Sequence, residues 1–155
     1  MSRQEPTPRG RILALDLGKR RIGLALSDEL GLTAQGLVTL ERTNIREDLA
    51  RLARLAAERG VTLILIGNPM HLNGSEGRQS AWARQFAERL EARSGLAVRL
   101  WDERLTTVEA ERVLRESGIS REKRGRARDR LAAVILLQSY LESLAAGGGS
   151  GDGPG

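Results

Sequence analysis

The chain has 155 residues, a net charge of +5 and no cysteine. That length fits one domain with one sizeable core. The missing thiols exclude a disulfide framework and a thiolate metal site, as in a reducing cytosol. A pI of about 10.8 favours polyanionic partners, while a single Phe and a single Tyr argue against rows of stacked aromatics. No apolar run approaches the roughly 20 residues that cross a bilayer. The start, MSRQEPTPRG, lacks the apolar centre of a signal peptide. The expectation is a cytoplasmic protein with no membrane partner.

Residues 1–10 carry no periodic pattern and are expected to form a flexible tail. Strand one is expected at Arg11 to Leu17 and strand two at Ile22 to Ser27, joined by a tight turn through Gly18. Leu30 to Gln35 reads as a loop and Gly36 to Glu41 as a third strand. Asn44 offers an N-cap with Glu47 in the capping-box position, and Ile45, Leu49, Leu52 and Ala56 follow at helical spacing. Gly60 ends that helix. Val61 to Ile66 is a continuous apolar run, the pattern of a central strand covered on both faces.

Gly67 to Gly74 reads as a loop from its Gly, Asn and Pro content. A helix follows over Gln79 to Ser94, with Trp82, Phe86 and Leu90 on one stripe, and Gly95 stops it. Leu96 to Trp101 is the fifth strand and runs into Asp102, Glu103 and Arg104. Thr106 is placed to cap a helix with Val108, Val113 and Leu114 on its buried side. A basic connector spans Glu116 to Arg128, and a final helix spans Arg128 to Leu144. The domain is therefore 11–145, and the Gly-rich residues 146–155 are expected to be disordered. The first three strands should be antiparallel. The two strands reached through helices should be parallel to their neighbours.

Three acids stand out by position. Asp16 ends strand one, where an ionised group is costly unless compensated. Glu103 follows strand five, and Asp129 opens the last helix. Parallel strands bring Asp16 and Glu103 to one sheet edge, where open α/β sheets build their sites. Converging carboxylates without His or Cys are oxygen ligands for a hard cation, Mg²⁺ or Mn²⁺. Two such ions can flank a phosphodiester. Read singly, Asp16 could cap a turn, Glu103 could form a surface ion pair, and Asp129 could serve a helix dipole.

The segment Arg121 to Arg130, REKRGRARDR, holds six cations and two anions. It is either a solvated loop or a clamp on a nucleic-acid backbone. Lys19, Arg20 and Arg21 add cations beside Asp16. His71 is the lone His, in a loop, and is a poor metal signal. The stretch Gly74 to Gly77 could cradle a phosphate or simply join loop to helix.

The stretches LALDLGKRRIGLALSD, GNPMHLNGSEG and WDERLTT, with the D-x-x-A-A-x-x-x-L-L-Q pattern from Asp129 to Gln138, resemble the bacterial YqgF family, also called RuvX. The likeness runs from about Arg11 to Leu144. It implies a ribonuclease-H-like fold: a five-stranded mixed sheet flanked by helices. It also implies a two-metal nuclease with Asp16, Glu103 and Asp129 as catalytic and metal-binding acids. The family is linked to 5′-end maturation of 16S rRNA, and some members to Holliday junctions and other branched DNA. Its members are monomers or homodimers. Asn68 replaces a usually apolar residue and His71 a usual Asn; both fall in the substrate-side loop.

On this reading Asp16 bridges two ions, while Glu103 and Asp129 hold one each. Lys19, Arg20, Arg21, Arg104, Arg124 and Arg126 contact phosphates, and Thr106 or Thr107 bonds the backbone. Two other classes compete. One is an actin-like ATPase, since Asp16, Gly18 and Gly23 also match that phosphate loop, although a second glycine-rich hairpin is missing. The other is a non-catalytic nucleic-acid-binding factor, for which the basic segment would suffice.

Overall fold

The computed structural model describes residues 10–69, 77–103, 112–113, 115–116 and 121–147, with the side chains of 121–126 and 147 outside that description. Five strands, β1 (Arg11–Leu17), β2 (Arg21–Ser27), β3 (Ala34–Glu41), β4 (Val61–Asn68) and β5 (Ala97–Asp102), form one sheet. Their order is β3-β2-β1-β4-β5. As expected, β1, β2 and β3 pair antiparallel, and β4 runs parallel to both β1 and β5. Strands β1, β4 and β5 therefore end at the same edge.

Helix α1 (Ile45–Glu58) starts where Asn44 accepts a hydrogen bond from the Glu47 N–H at 2.9 Å. It stops at Gly60, whose φ of 68° suits a residue without Cβ. Helix α2 (Arg78–Ser94) stops likewise at Gly95. Both cover one sheet face, where Leu13, Leu15, Ile64 and Ile66 meet Leu52, Phe86 and Leu90. Each such buried side chain contributes about 1.5–3 kcal/mol. The other face belongs to α3 (Arg121–Gly147). There Ile12, Ala14, Ala25, Leu63 and Leu65 meet Ala133, Leu136, Leu137 and Tyr140. Trp101 packs edge-on to Tyr140 at 5.0 Å and donates to Ser139 Oγ at 3.1 Å, fastening α3 to β5.

Three sequence expectations are corrected. The last helix begins at Arg121 instead of Arg128, so Asp129 sits in its third turn and does not open it. The basic run is mostly Arg, Lys, Glu and Ala, all good helix formers, and the single Gly125 costs only about 1 kcal/mol. Gly67 and Asn68 belong to β4 and not to the following loop, because Asn68 still pairs with Asp102 of β5. Val113, expected on a buried face, is exposed. Thr106 as a helix cap, with Val108 and Leu114, lies outside the described residues. Among the described residues no helix is long and apolar enough to cross a membrane.

Candidate active site at the shared strand edge

Side chains alternate along a strand, so Ile12, Ala14 and Asp16 all face α3. The same alternation turns Leu63, Leu65 and Gly67 of β4 toward that helix. Asp16 pairs with Gly23 of β2. Just past β5, the Glu103 N–H donates to the Asn68 carbonyl at 3.3 Å, adding one rung to the parallel ladder. From there the Glu103 carboxyl crosses above Gly67 and hydrogen-bonds to Asp16. A Cβ on Gly67 would overlap Glu103 Oε1 and press on Leu136 Cδ2 at 3.3 Å.

Glycine also admits the helix. The Asp129 backbone carbonyl of α3 occupies the space where a Gly23 side chain would stand. The aliphatic stem of Arg130 fills the same space over Gly36, with Cγ 2.6 Å from an ideal Cβ. Three strands thus give up side chains on one face, and α3 sinks toward the sheet beside Asp16. Sequence reasoning noted Gly23 only as part of a phosphate-loop pattern and gave no role to Gly36 or Gly67. A Gly inside a strand is the signal that would have found them.

The electrostatics follow from this packing. Burial raises Glu103 most, and the charge of Asp16 adds to it; its carboxyl is pushed up to about 9. Burial also raises Asp16, to about 6; the hydrogen bond from Glu103 opposes the rise and the Asp129 charge adds to it. Both carboxyls thus take up protons more readily than usual, and near neutral pH one proton belongs to the pair as a whole. A divalent cation would replace that proton and compensate both charges. The donors are all oxygen, so the residues fit a hard ion such as Mg²⁺ or Mn²⁺.

The third acid is placed differently. Asp129 Oδ2 accepts from Arg21 Nε at 2.9 Å, both side chains being about four-fifths buried. Among the described residues no three acidic side chains surround one ion position. The structure therefore joins Asp16 to Glu103 and holds Asp129 nearby on Arg21. Lys19 and Arg20 stand exposed in the hairpin turn, which closes by a Gly18 N–H to Arg21 carbonyl bond of 3.0 Å. Arg104, Thr106 and Thr107 lie outside the described residues, as do the side chains of Arg124 and Arg126.

The site can be set beside known proteins. The family model described as "RuvX: Holliday junction resolvase" matches residues 10–143. A "Putative pre-16S rRNA nuclease" of Koribacter versatilis (strain Ellin345) is 55% identical over 133 residues, covering 86% of this chain and 87% of the relative. One of the same name from Moorella thermoacetica (strain ATCC 39073 / JCM 9320) is 49% identical over 138 residues, covering 89% of this chain and 99% of the relative. Among solved structures, T. thermophilus RuvC in complex with Holliday junction substrate superposes with a TM-score of 0.58 at 13% identity, covering 88% of this chain and 96% of that one. Fowlpox virus resolvase, solved with its substrate Holliday junction DNA, gives 0.53 at 14% identity, covering 86% and 98%. At such identities these two establish the ribonuclease-H-like fold alone. Together with the matched motifs, the family model and the relatives at about half identity leave one assignment: the chain belongs to the RuvX Holliday junction resolvase family.

Proposed function

We propose that the protein is a metal-dependent nuclease that hydrolyses phosphodiester bonds and matures the 5′ end of 16S rRNA precursor in the cytoplasm. The observation that carries the chemistry is the half-buried Asp16–Glu103 pair, two carboxyls hydrogen-bonded to each other at the shared strand edge. The choice of substrate is supported by the K. versatilis and M. thermoacetica relatives, each named "Putative pre-16S rRNA nuclease". Asp16 and Glu103 would hold Mg²⁺ or Mn²⁺, with Asp129 as the third acid of a two-ion site. When bound, the ions supply an activated water and neutralise charge at the leaving oxygen.

The remaining residues bind and orient the substrate. Arg21 holds Asp129 near Asp16. Lys19, Arg20, Arg104, Arg124 and Arg126 take backbone phosphates without reading bases. Thr106 and Thr107 add hydrogen bonds to the same backbone. A second reading, cleavage of branched DNA, is favoured by the fold shared with the two resolvases bound to Holliday junctions. A cleavage panel separates them: a precursor-like RNA end, a DNA four-way junction and plain duplex DNA, each with Mn²⁺. Selective cutting of the RNA end supports maturation; selective cutting of the junction replaces it with resolution.

A further inference from the structure

The same edge carries a concavity on the face covered by α1 and α2. It has a volume of about 690 Å³, and its lining includes Leu17, Lys19, Arg42, Arg78, Trp82 and Glu103. That volume lies within the range of small-ligand pockets, about 300–1,000 Å³. Through Glu103 the pocket reaches the candidate catalytic pair, while Asp16 and Asp129 are not among its described lining residues.

Its wall is built around Arg42. The guanidinium lies over the Trp82 ring, 4.9 Å from the centroid. Its Nε donates to Asp48 Oδ2 at 3.2 Å, and a terminal nitrogen donates to the Gly18 carbonyl at 3.0 Å. Asp48 is fully buried and also accepts from the Thr43 N–H at 3.1 Å. A buried ion pair adds little net stability. What this one does is hold the Arg42 guanidinium, 16% exposed, against the Trp82 ring and tie the Gly18 turn, with Lys19 on it, to α1. Lys19 and Arg78 are exposed at the rim and have no ion pair among the described residues.

A fixed guanidinium on an indole is a platform on which a base stacks, and two rim cations suit a phosphate. A base inside a duplex stays paired and stacked and does not reach such a pocket. We infer that this pocket takes one unpaired nucleotide beside the scissile phosphate, its base on the Arg42–Trp82 wall and its phosphate between Lys19 and Arg78, so that the substrate class is single-stranded polynucleotide. The inference rests on the nuclease reading for its position next to the scissile bond.

The test uses the full chain carrying Trp101→Phe, which leaves Trp82 as the single tryptophan. In EDTA, short single-stranded RNA should quench Trp82 emission, and a duplex of the same sequence should not. Moving one abasic site along the strand should weaken binding about tenfold at one position only. Lys19→Ala with Arg78→Ala, both exposed, should weaken single-strand binding several-fold more than duplex binding, at an unchanged melting temperature. A flat abasic scan, or equal quenching by the duplex, overturns the pocket. Cleavage of the same RNA in Mn²⁺ reads the nuclease assignment separately. Cutting with a flat scan rejects the pocket alone; a one-position effect without cutting upholds the base pocket and rejects the nuclease.

Discussion

The Glu103 carboxyl occupies the space that a side chain on Gly67 would fill. The two residues belong to neighbouring strand ends, and the absence of one side chain lets the other reach Asp16. Gly67→Ala should therefore act on the site more than on the fold. Glu103 and the tip of Leu136 can both give way, so the stability cost should be about 1–2 kcal/mol. Cleavage should fall at least tenfold because the pair is split. Thermal melting and a rate on the same preparation check both halves.

Gly23→Ala offers the contrast. Here the new Cβ would meet the backbone carbonyl of Asp129 and no movable side chain. Either α3 lifts from β2 or the strand distorts. The expected loss is about 3 kcal/mol, larger than for Gly67→Ala, with cleavage lost as well. Urea unfolding of the two variants side by side tests the order.

The Asp16–Glu103 pair sets a pH dependence whose sign is fixed. Both carboxyls bind protons more tightly in the folded chain, at about 6 and about 9, than their ordinary values of 3.8 and 4.5. The metal-free protein should therefore be most stable below about pH 4 as far as this pair is concerned. That contribution falls as pH rises, until both groups are ionised above about 9. Added Mn²⁺ should raise the melting temperature more at pH 8 than at pH 5, because at pH 5 it competes with bound protons. In Glu103→Gln the metal-free pH slope should flatten above about pH 6. Melting scans across that range, with Mn²⁺ or EDTA, read the outcome.

Arg21 and Asp129 separate structure from chemistry. Removing either partner breaks the same 2.9 Å ion pair. Both side chains are about four-fifths buried, so each loss leaves the other charge poorly solvated and should cost about 2–3 kcal/mol. Arg21→Ala should retain metal-dependent cleavage, whereas Asp129→Asn should lose most of it. Equal loss in both would make Asp129 a structural partner of Arg21 and nothing more.

Much of this site is legible in the sequence because it depends on chain direction and strand count. Asp16 and Glu103 end strands that the strand–helix–strand rule makes parallel, and parallel strands finish at one edge. Asn44 and Gly60 bound α1 by local hydrogen bonding and φ, which are read from residue types. The start of α3 is not legible, because a basic run with a glycine suits a solvated loop and a helix equally until packing decides. Gly67 and Asn68 look like a turn, since their neighbour is Pro69, but the ladder to β5 keeps them in β4. Arg42 is invisible among the many arginines. Only its contacts with Asp48, Gly18 and Trp82 set it apart.

The central claim is that Asp16 works with Glu103 to make a metal-dependent phosphodiester hydrolase. The most direct test is the cleavage rate of a precursor-like RNA end by wild type and Asp16→Asn, each with Mn²⁺ and with EDTA. The claim predicts cutting by wild type in Mn²⁺ alone and a loss of at least a hundredfold in Asp16→Asn with the fold intact, since the metal's contribution to barrier lowering is several kcal/mol. Full activity of Asp16→Asn, or cleavage that persists in EDTA, would contradict it.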